Sequence, residues 1–285
     1  MENTEHNELT YEHTYIPLTT LSSGEGKEIA IDIYGYCIQI VNICFIGNPT
    51  SRDKEWCLVD AGMPQSADEI IRVAEERFGA QRKPTAIILT HGHFDHVGAI
   101  ESLLEYWDVP VYAHELEIPY LTGKSNYPKG DSTVDGGLIS ELSPLFPNHG
   151  IDISNHVHPL PANGIVPGLT GWQWIHTPGH TPGHISLFRA KDGSLIVGDA
   201  FVTVKQESLY KLFTQEQEIN GPPKYFTTDW QAAGDSVRKL RDLHPLLAIT
   251  GHGKPMNGEE LSRELGSLAE DFEKLAIPKD GRFVH

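Results

Sequence analysis

Cysteine is scarce in this chain: three among 285 residues, Cys37, Cys44 and Cys57, none in CxxC spacing. That argues against a thiolate zinc site and a thioredoxin-like redox pair, and a chain of this size needs no disulfide framework. All three sit in apolar, strand-like stretches, so they are expected as small buried hydrophobes in a protein of the reducing cytoplasm. Basic residues are also few. Lys and Arg number 22 against 39 Asp and Glu, for a formal net charge of −17. Docking on phosphate backbones or anionic lipid needs clustered cations, so neither nucleic acid nor membrane is expected as a partner. No apolar run approaches the roughly 18 residues that would span a bilayer. Met1 to Leu9 are polar and acidic, without the apolar core of a secretion signal. The composition that remains, 39% hydrophobic and 21% charged, is that of an ordinary globular protein able to bury a substantial core.

Strands and helices alternate along the chain, which predicts an α/β fold. Ile29 to Ile46 reads as two strands broken near Gly35, and Trp56 to Asp60 as a short buried strand ending in VDAG. Ser66 is placed to cap a helix running to about Phe78, with Asp68 and Glu69 in its first turn. Ala86 to Leu89 is a wholly apolar strand, followed by a helix over Gly98 to Tyr106 and a strand at Val109 to Tyr112. From 115 to 168 the periodicity loosens and seven prolines occur, which predicts a loop-rich insertion over the active site of a single domain spanning 1–285. Strands resume at Trp172 to Ile175, Ile185 to Arg189 and Leu195 to Val197, the last two joined by the turn Lys191-Asp192-Gly193. A helix from Asp229 to Leu243, a strand from Leu246 to Thr250 and a helix from Gly258 to about Leu275 complete the chain.

The chemistry concentrates in His91-Gly92-His93-Phe94-Asp95-His96, four potential metal ligands within six residues directly after an apolar strand. Alternate side chains of an extended segment share a face, so His91 and His93 can point together, and the turn beyond brings Asp95 and His96 beside them. Imidazole and carboxylate suit zinc, iron, manganese or a related divalent ion without any thiolate. Further candidates stand at other strand ends: His180 in TPGHTPGH, Asp199 in VGDA and His252 in TGHG. Functional residues gather where the strands of α/β sheets give way to loops. His176 and His184 flank His180, and His184 is expected to form structural hydrogen bonds. His114, His149, His156, His158 and His244 are expected as surface or core residues, with His149, His156 and His158 open to a second reading, reaching a substrate from the insertion. Tyr120, Tyr127, Phe146, Phe213, Tyr225 and Phe226 are open to two readings, an apolar pocket or packing. There is no GxSxG elbow and no P-loop.

HGHFDH, TPGHTPGH, GDA and GHG, in this order from about Tyr34 to Pro255, resemble the motifs of the metallo-β-lactamase superfamily, in the region of glyoxalase II, lactonases and persulfide dioxygenases. The resemblance implies a four-layer αββα sandwich with its metal site at the edge of the two sheets. It implies that His91, His93 and His180 bind one ion, that Asp95, His96 and His252 bind a second, and that Asp199 bridges them. It gives Asp60, in VDAG, a supporting place behind the site, and Asp95 a share in steering a proton to the leaving group. The implied cofactors are two divalent ions, zinc foremost, with iron and manganese as alternatives.

Donor residues and resemblance together imply a metal-dependent hydrolase that activates water for attack on a small acyl compound, a thioester, lactone or ester. Two departures bear on the substrate. No basic glutathione-binding set is found towards the C-terminus, and Asp199 is followed by Ala200, Phe201 and Val202 rather than by the tyrosine of lactonases that open homoserine lactones. Two other classes remain as alternatives: a mononuclear iron oxidoreductase similar to persulfide dioxygenases, using His91, His180 and Asp199, and a non-catalytic metal-binding module.

Overall fold

The computed structural model describes residues 11, 14, 16, 18–53, 55–135, 137–204 and 217–284. The expectations for Met1 to Leu9 and for Phe213 lie outside them. The chain falls into two compact units: Met1–Tyr127 with Pro147–Ala162 and Val166–Thr170, and Pro128–Phe146 with Asn163–Ile165 and Gly171–His285. Each unit carries one sheet.

The first holds seven strands in chain order: β1 (Gly26–Ala30), β2 (Ile33–Ile38), β3 (Val41–Ile46), β4 (Cys57–Val59), β5 (Ala86–Ile88), β6 (Val111–Ala113) and β7 (Val157–Pro159). The first four form an antiparallel meander, and β4 through β7 run parallel, with Val59 opposite Ile88 and Ile88 opposite Tyr112. Strands β4 and β5 are buried at every position, which is why they read as unbroken apolar runs. The helices are α1 (Ala67–Phe78), α2 (Phe94–Val97), α3 (Ile100–Trp107) and α4 (Ile118–Leu121). Ile70, Val73, Ala74 and Phe78 form the buried face of α1. Trp56, the residue before β4, stacks on Phe78 with ring centroids 4.6 Å apart and meets Trp107 of α3 edge-on at 5.5 Å. One indole thus joins strand to both helices.

The second sheet has the order β12-β11-β10-β9-β8: β8 (Gln173–His176), β9 (Ile185–Arg189), β10 (Ser194–Gly198), β11 (Leu247–Thr250) and β12 (Met256–Asn257). Strands β10 and β11 are parallel neighbours, and the other pairings are antiparallel. In this unit lie α5 (Gly137–Leu142), α6 (Trp230–Asp242), α7 (Gly258–Glu270) and α8 (Phe272–Leu275). Asp229 caps α6 by accepting from the Ala232 N–H at 2.9 Å. Trp230, Val237 and Leu240 of α6 pack with Leu261, Leu265 and Leu268 of α7 and with Phe188, Leu195 and Val197 of the sheet.

Several boundaries differ from expectation. The segment Ile29 to Ile46 forms parts of three strands: the chain turns at Ile31-Asp32 between β1 and β2, and again at Gln39-Ile40 before β3, where Gln39 takes a left-handed conformation (φ 56°). Gly35 lies within β2, where a Cβ would meet the Ile29 side chain at 2.8 Å. The helix expected from Gly98 begins at Ile100, preceded by the separate turn α2, and the C-terminal helix divides at Asp271. Ser66 occupies the predicted cap of α1, yet its hydroxyl donates to the Met63 carbonyl at 2.6 Å instead of accepting from the helix. The stretch 115–168 holds α4, α5, the single 3₁₀ turn Ser143–Leu145 and β7.

Cys37, Cys44 and Cys57 are buried and unbridged, as expected. Burial pushes the Cys37 thiol up to about 11 and that of Cys57 up to about 12, and raises Cys44 as well. Since the thiolate is the reactive form, none of the three is expected to react with an aromatic disulfide reagent at pH 8 in the native protein. All three should react in guanidinium. Rapid native labelling would contradict this packing.

Candidate metal centre

In the first unit, parallel strands β4 and β5 end side by side, and the candidate residues come directly after them. Asp60 comes one residue after β4 and has a left-handed backbone (φ 61°), its N–H donating to the Ile88 carbonyl at 2.9 Å. Its carboxylate, 2% exposed, collects three contacts. Oδ1 accepts from the Thr90 N–H at 2.7 Å, and Oδ2 accepts from the Thr90 hydroxyl and from His96 Nδ1, both at 2.8 Å. The Thr90 hydroxyl, its proton given to Asp60, accepts in turn from His91 Nδ1 at 3.1 Å. One carboxylate therefore sets the tautomer of two imidazoles, holding each proton on Nδ1 and leaving the lone pair on Nε2, as a ligand needs.

His91, His93, Asp95 and His96 are all buried. His93 is the residue before α2, and that single turn carries Asp95 and His96, so the motif is half extended and half helical. The ligand atoms of His91 and His93, of His91 and His96, and of Asp95 and His96 lie, pair by pair, within 4.8 Å.

The second unit repeats the device at β10 and β11, whose ends are joined by the Gly251 N–H donating to the Gly198 carbonyl at 2.7 Å. Asp199 follows β10, and His252 follows β11 by two residues; each is 2% exposed. His180 lies in the β8–β9 connection. Gly179 (φ 133°) seats that loop against the start of α6, where a Cβ would come 2.4 Å from the Ala233 nitrogen, and its carbonyl accepts from the Thr228 and Asp229 N–H groups. The His180 Nδ1 is 3.3 Å from the Thr227 hydroxyl, which already donates to the Pro223 carbonyl and so accepts the imidazole proton. Nε2 of His180 then turns its lone pair towards Asp199 Oδ2 at 3.6 Å, and His252 Nε2 stands 3.2 Å from the same oxygen. Two acceptors facing each other repel unless a cation lies between them. That donor set fits a divalent ion, and nitrogen with oxygen ligands suits zinc, iron or manganese.

The remaining histidines behave differently. His184 is buried, with Nδ1 on the Thr177 hydroxyl at 2.9 Å and Nε2 accepting from the Asp199 N–H at 2.8 Å, the structural role expected of it. His176 contacts the Pro182 carbonyl, His156 pairs with exposed Asp108, and His114 Nδ1 accepts from the Leu116 N–H. Phe146, Tyr225 and Phe226 cluster with one another in the second unit, while Tyr120 stacks on Tyr127 in the first. Thr90 and Thr227 went unnoticed in the sequence, although Thr90 adjoins His91. Glu117, fully buried behind Gly92, was also missed, since an isolated glutamate in a loop carries no sign of burial.

Residues 39–252 match the profile of the metallo-beta-lactamase superfamily. The chain is 52% identical over 261 residues to the probable metallo-hydrolase YflN of Bacillus subtilis (strain 168), covering 92% of this chain and 98% of that protein. Among solved structures it resembles TTHA1623 in a di-iron-bound form, at 26% identity and TM-score 0.52, over 80% of this chain and 92% of that one. It also resembles the B3 metallo-beta-lactamase BLEG-1, at 26% identity and TM-score 0.55, over 79% and 92%.

Replacing Asp60 with alanine leaves the Thr90 N–H, the Thr90 hydroxyl and His96 Nδ1 buried without their acceptor. Unfolding in urea should show a loss of about 2–5 kcal/mol. A loss within the scatter of ordinary surface substitutions would contradict the orienting role.

Proposed function

Because the chain belongs to the metallo-β-lactamase superfamily, we propose that it is a hydrolase that cleaves a small acyl compound, a thioester, lactone or ester, at a site for two divalent ions. His91, His93 and His180 would hold one ion, Asp95, His96 and His252 the other, with Asp199 shared. The observation that carries this reading is the Asp199 carboxylate, buried and approached on one oxygen by Nε2 of both His180 and His252. A buried carboxylate in such company calls for compensating positive charge. The di-iron form of TTHA1623 supports a paired site. Zinc is the first choice and iron or manganese the alternatives, in keeping with a donor set free of sulfur.

Divalent ions bound there supply a water acidified to a pKa of about 7 and a Lewis acid for the substrate carbonyl. The chain's own residues do the rest. Asp60 keeps the His96 proton, and through Thr90 the His91 proton, on Nδ1. Thr227 does the same for His180, and His184 fixes the backbone of Asp199. Asp95 is read as both ligand and proton carrier towards the leaving group. Residues 1–285 act in this reading as one functional domain, with 115–168 shaping the substrate pocket. The inferred address is the cytoplasm, supported by three buried, unbridged thiols. No helix of the described residues is long and apolar enough to cross a membrane.

Protein purified without added metal should contain about two ions per chain, as expected of a two-metal site, and cleave members of a thioester, ester and lactone panel without oxygen. Asp199→Ala and His180→Ala should each lose metal and at least about 10³-fold in turnover, a barrier increase of about 4 kcal/mol. Turnover surviving either change would overturn the assignment. So would a single iron with oxygen uptake on a persulfide.

A further inference from the structure

Glu117 is wholly buried just before α4, and nothing in the ligand set accounts for a carboxylate there. Its Oε2 accepts from the Gly92 N–H at 3.0 Å and from the Tyr127 hydroxyl. The same N–H lies 3.1 Å from the Tyr127 oxygen. Gly92 stands between His91 and His93, so the direction of its N–H sets the backbone rotation that aims both imidazoles. Tyr127 adds a second restraint: its ring lies against that of His93, centroids 4.5 Å apart, and stacks on Tyr120 at 4.0 Å. The tyrosine is itself fixed, its N–H donating to the Asn148 carbonyl at 2.8 Å and its carbonyl accepting from Asn148 Nδ2 at 2.7 Å. A Cβ at position 92 would come 2.6 Å from the Tyr127 oxygen, so a larger residue there would have to displace that hydroxyl.

We propose that Glu117 and Tyr127 are positioning residues that clamp the His91-Gly92-His93 segment and so set the affinity of the ion bound by His91 and His93. Hydrogen bonds to a charged acceptor are roughly twice as strong as neutral ones, and here the acceptor grips the backbone between two ligands. Glu117 is not among the residues proposed as ligands and acts through Gly92. The inference rests on the two-ion reading above.

The test uses the full-length holoprotein loaded with cobalt(II), titrated with a competing chelator while the visible spectrum is followed. Tyr127→Phe, which removes one hydroxyl, and Glu117→Ala should each weaken one of the two ions by about 10–100-fold. The other ion should stay within about threefold, and the spectrum of the weakened site should shift. Glu117→Gln keeps an oxygen for the Gly92 N–H and should recover most of the affinity. A brace for the fold alone would lower the melting temperature of the metal-free protein and leave both affinities intact; that result overturns the proposal, and Tyr127→Phe decides it even if Glu117→Ala does not fold. Wild-type protein that takes up two ions while the variants match it sinks only this inference. Wild-type protein that takes up none sinks the two-ion reading with it.

Discussion

Burying carboxylates is the constraint on which this structure turns. Asp60, Asp95 and Glu117 in one unit and Asp199 in the other are all 6% exposed or less. An ionised carboxylate removed from water is strongly unfavourable unless donors or cations surround it. Two of the four are satisfied by the chain itself: Asp60 by Thr90 and His96, and Glu117 by Gly92 and Tyr127. Asp95 and Asp199 sit instead among imidazoles. The division matches the roles proposed for them, orienting for the first pair and ligating for the second.

The same architectural device serves both units. Two parallel neighbours, β4 with β5 and β10 with β11, end together, and a polar residue stands within two positions of each end: Asp60, Thr90, Asp199 and His252. Parallel strands buried on both faces must be apolar along their length, so functional groups are displaced to the first positions beyond them. Sharp local backbone accompanies the change: Asp60 and Gly198 both have φ 61°. Threonines then finish the work, Thr90 and Thr227 accepting the Nδ1 protons of His91 and His180.

Much of this was legible in the residues because it depends on local pattern. The apolar runs before Asp60, His91, Asp199 and His252 mark strands by composition alone, and HGHFDH compresses four donors into one turn and its approach. The Asp192-Gly193 turn was equally readable, since tight turns act over a few residues, whereas the capping by Asp229 emerges only from the structure. The misses are long-range or conformational. Gln39 turns the chain within a β-branched run that carries no glycine at that point. The burial of Glu117 depends on Tyr127 and Gly92, 10 and 25 residues away, contacts that no local pattern encodes. His184 could be separated from His180 only by motif order, whereas hydrogen bonding distinguishes them at once: one holds the backbone of Asp199, and the other faces its carboxylate.

X-ray absorption at the metal edge, on protein purified without added metal, tests the central claim most directly. Two ions held by these residues predict a shell of imidazole and carboxylate scatterers with no sulfur, together with a metal–metal shell. A sulfur shell, or an edge spectrum from one isolated ion with no metal neighbour, would contradict it.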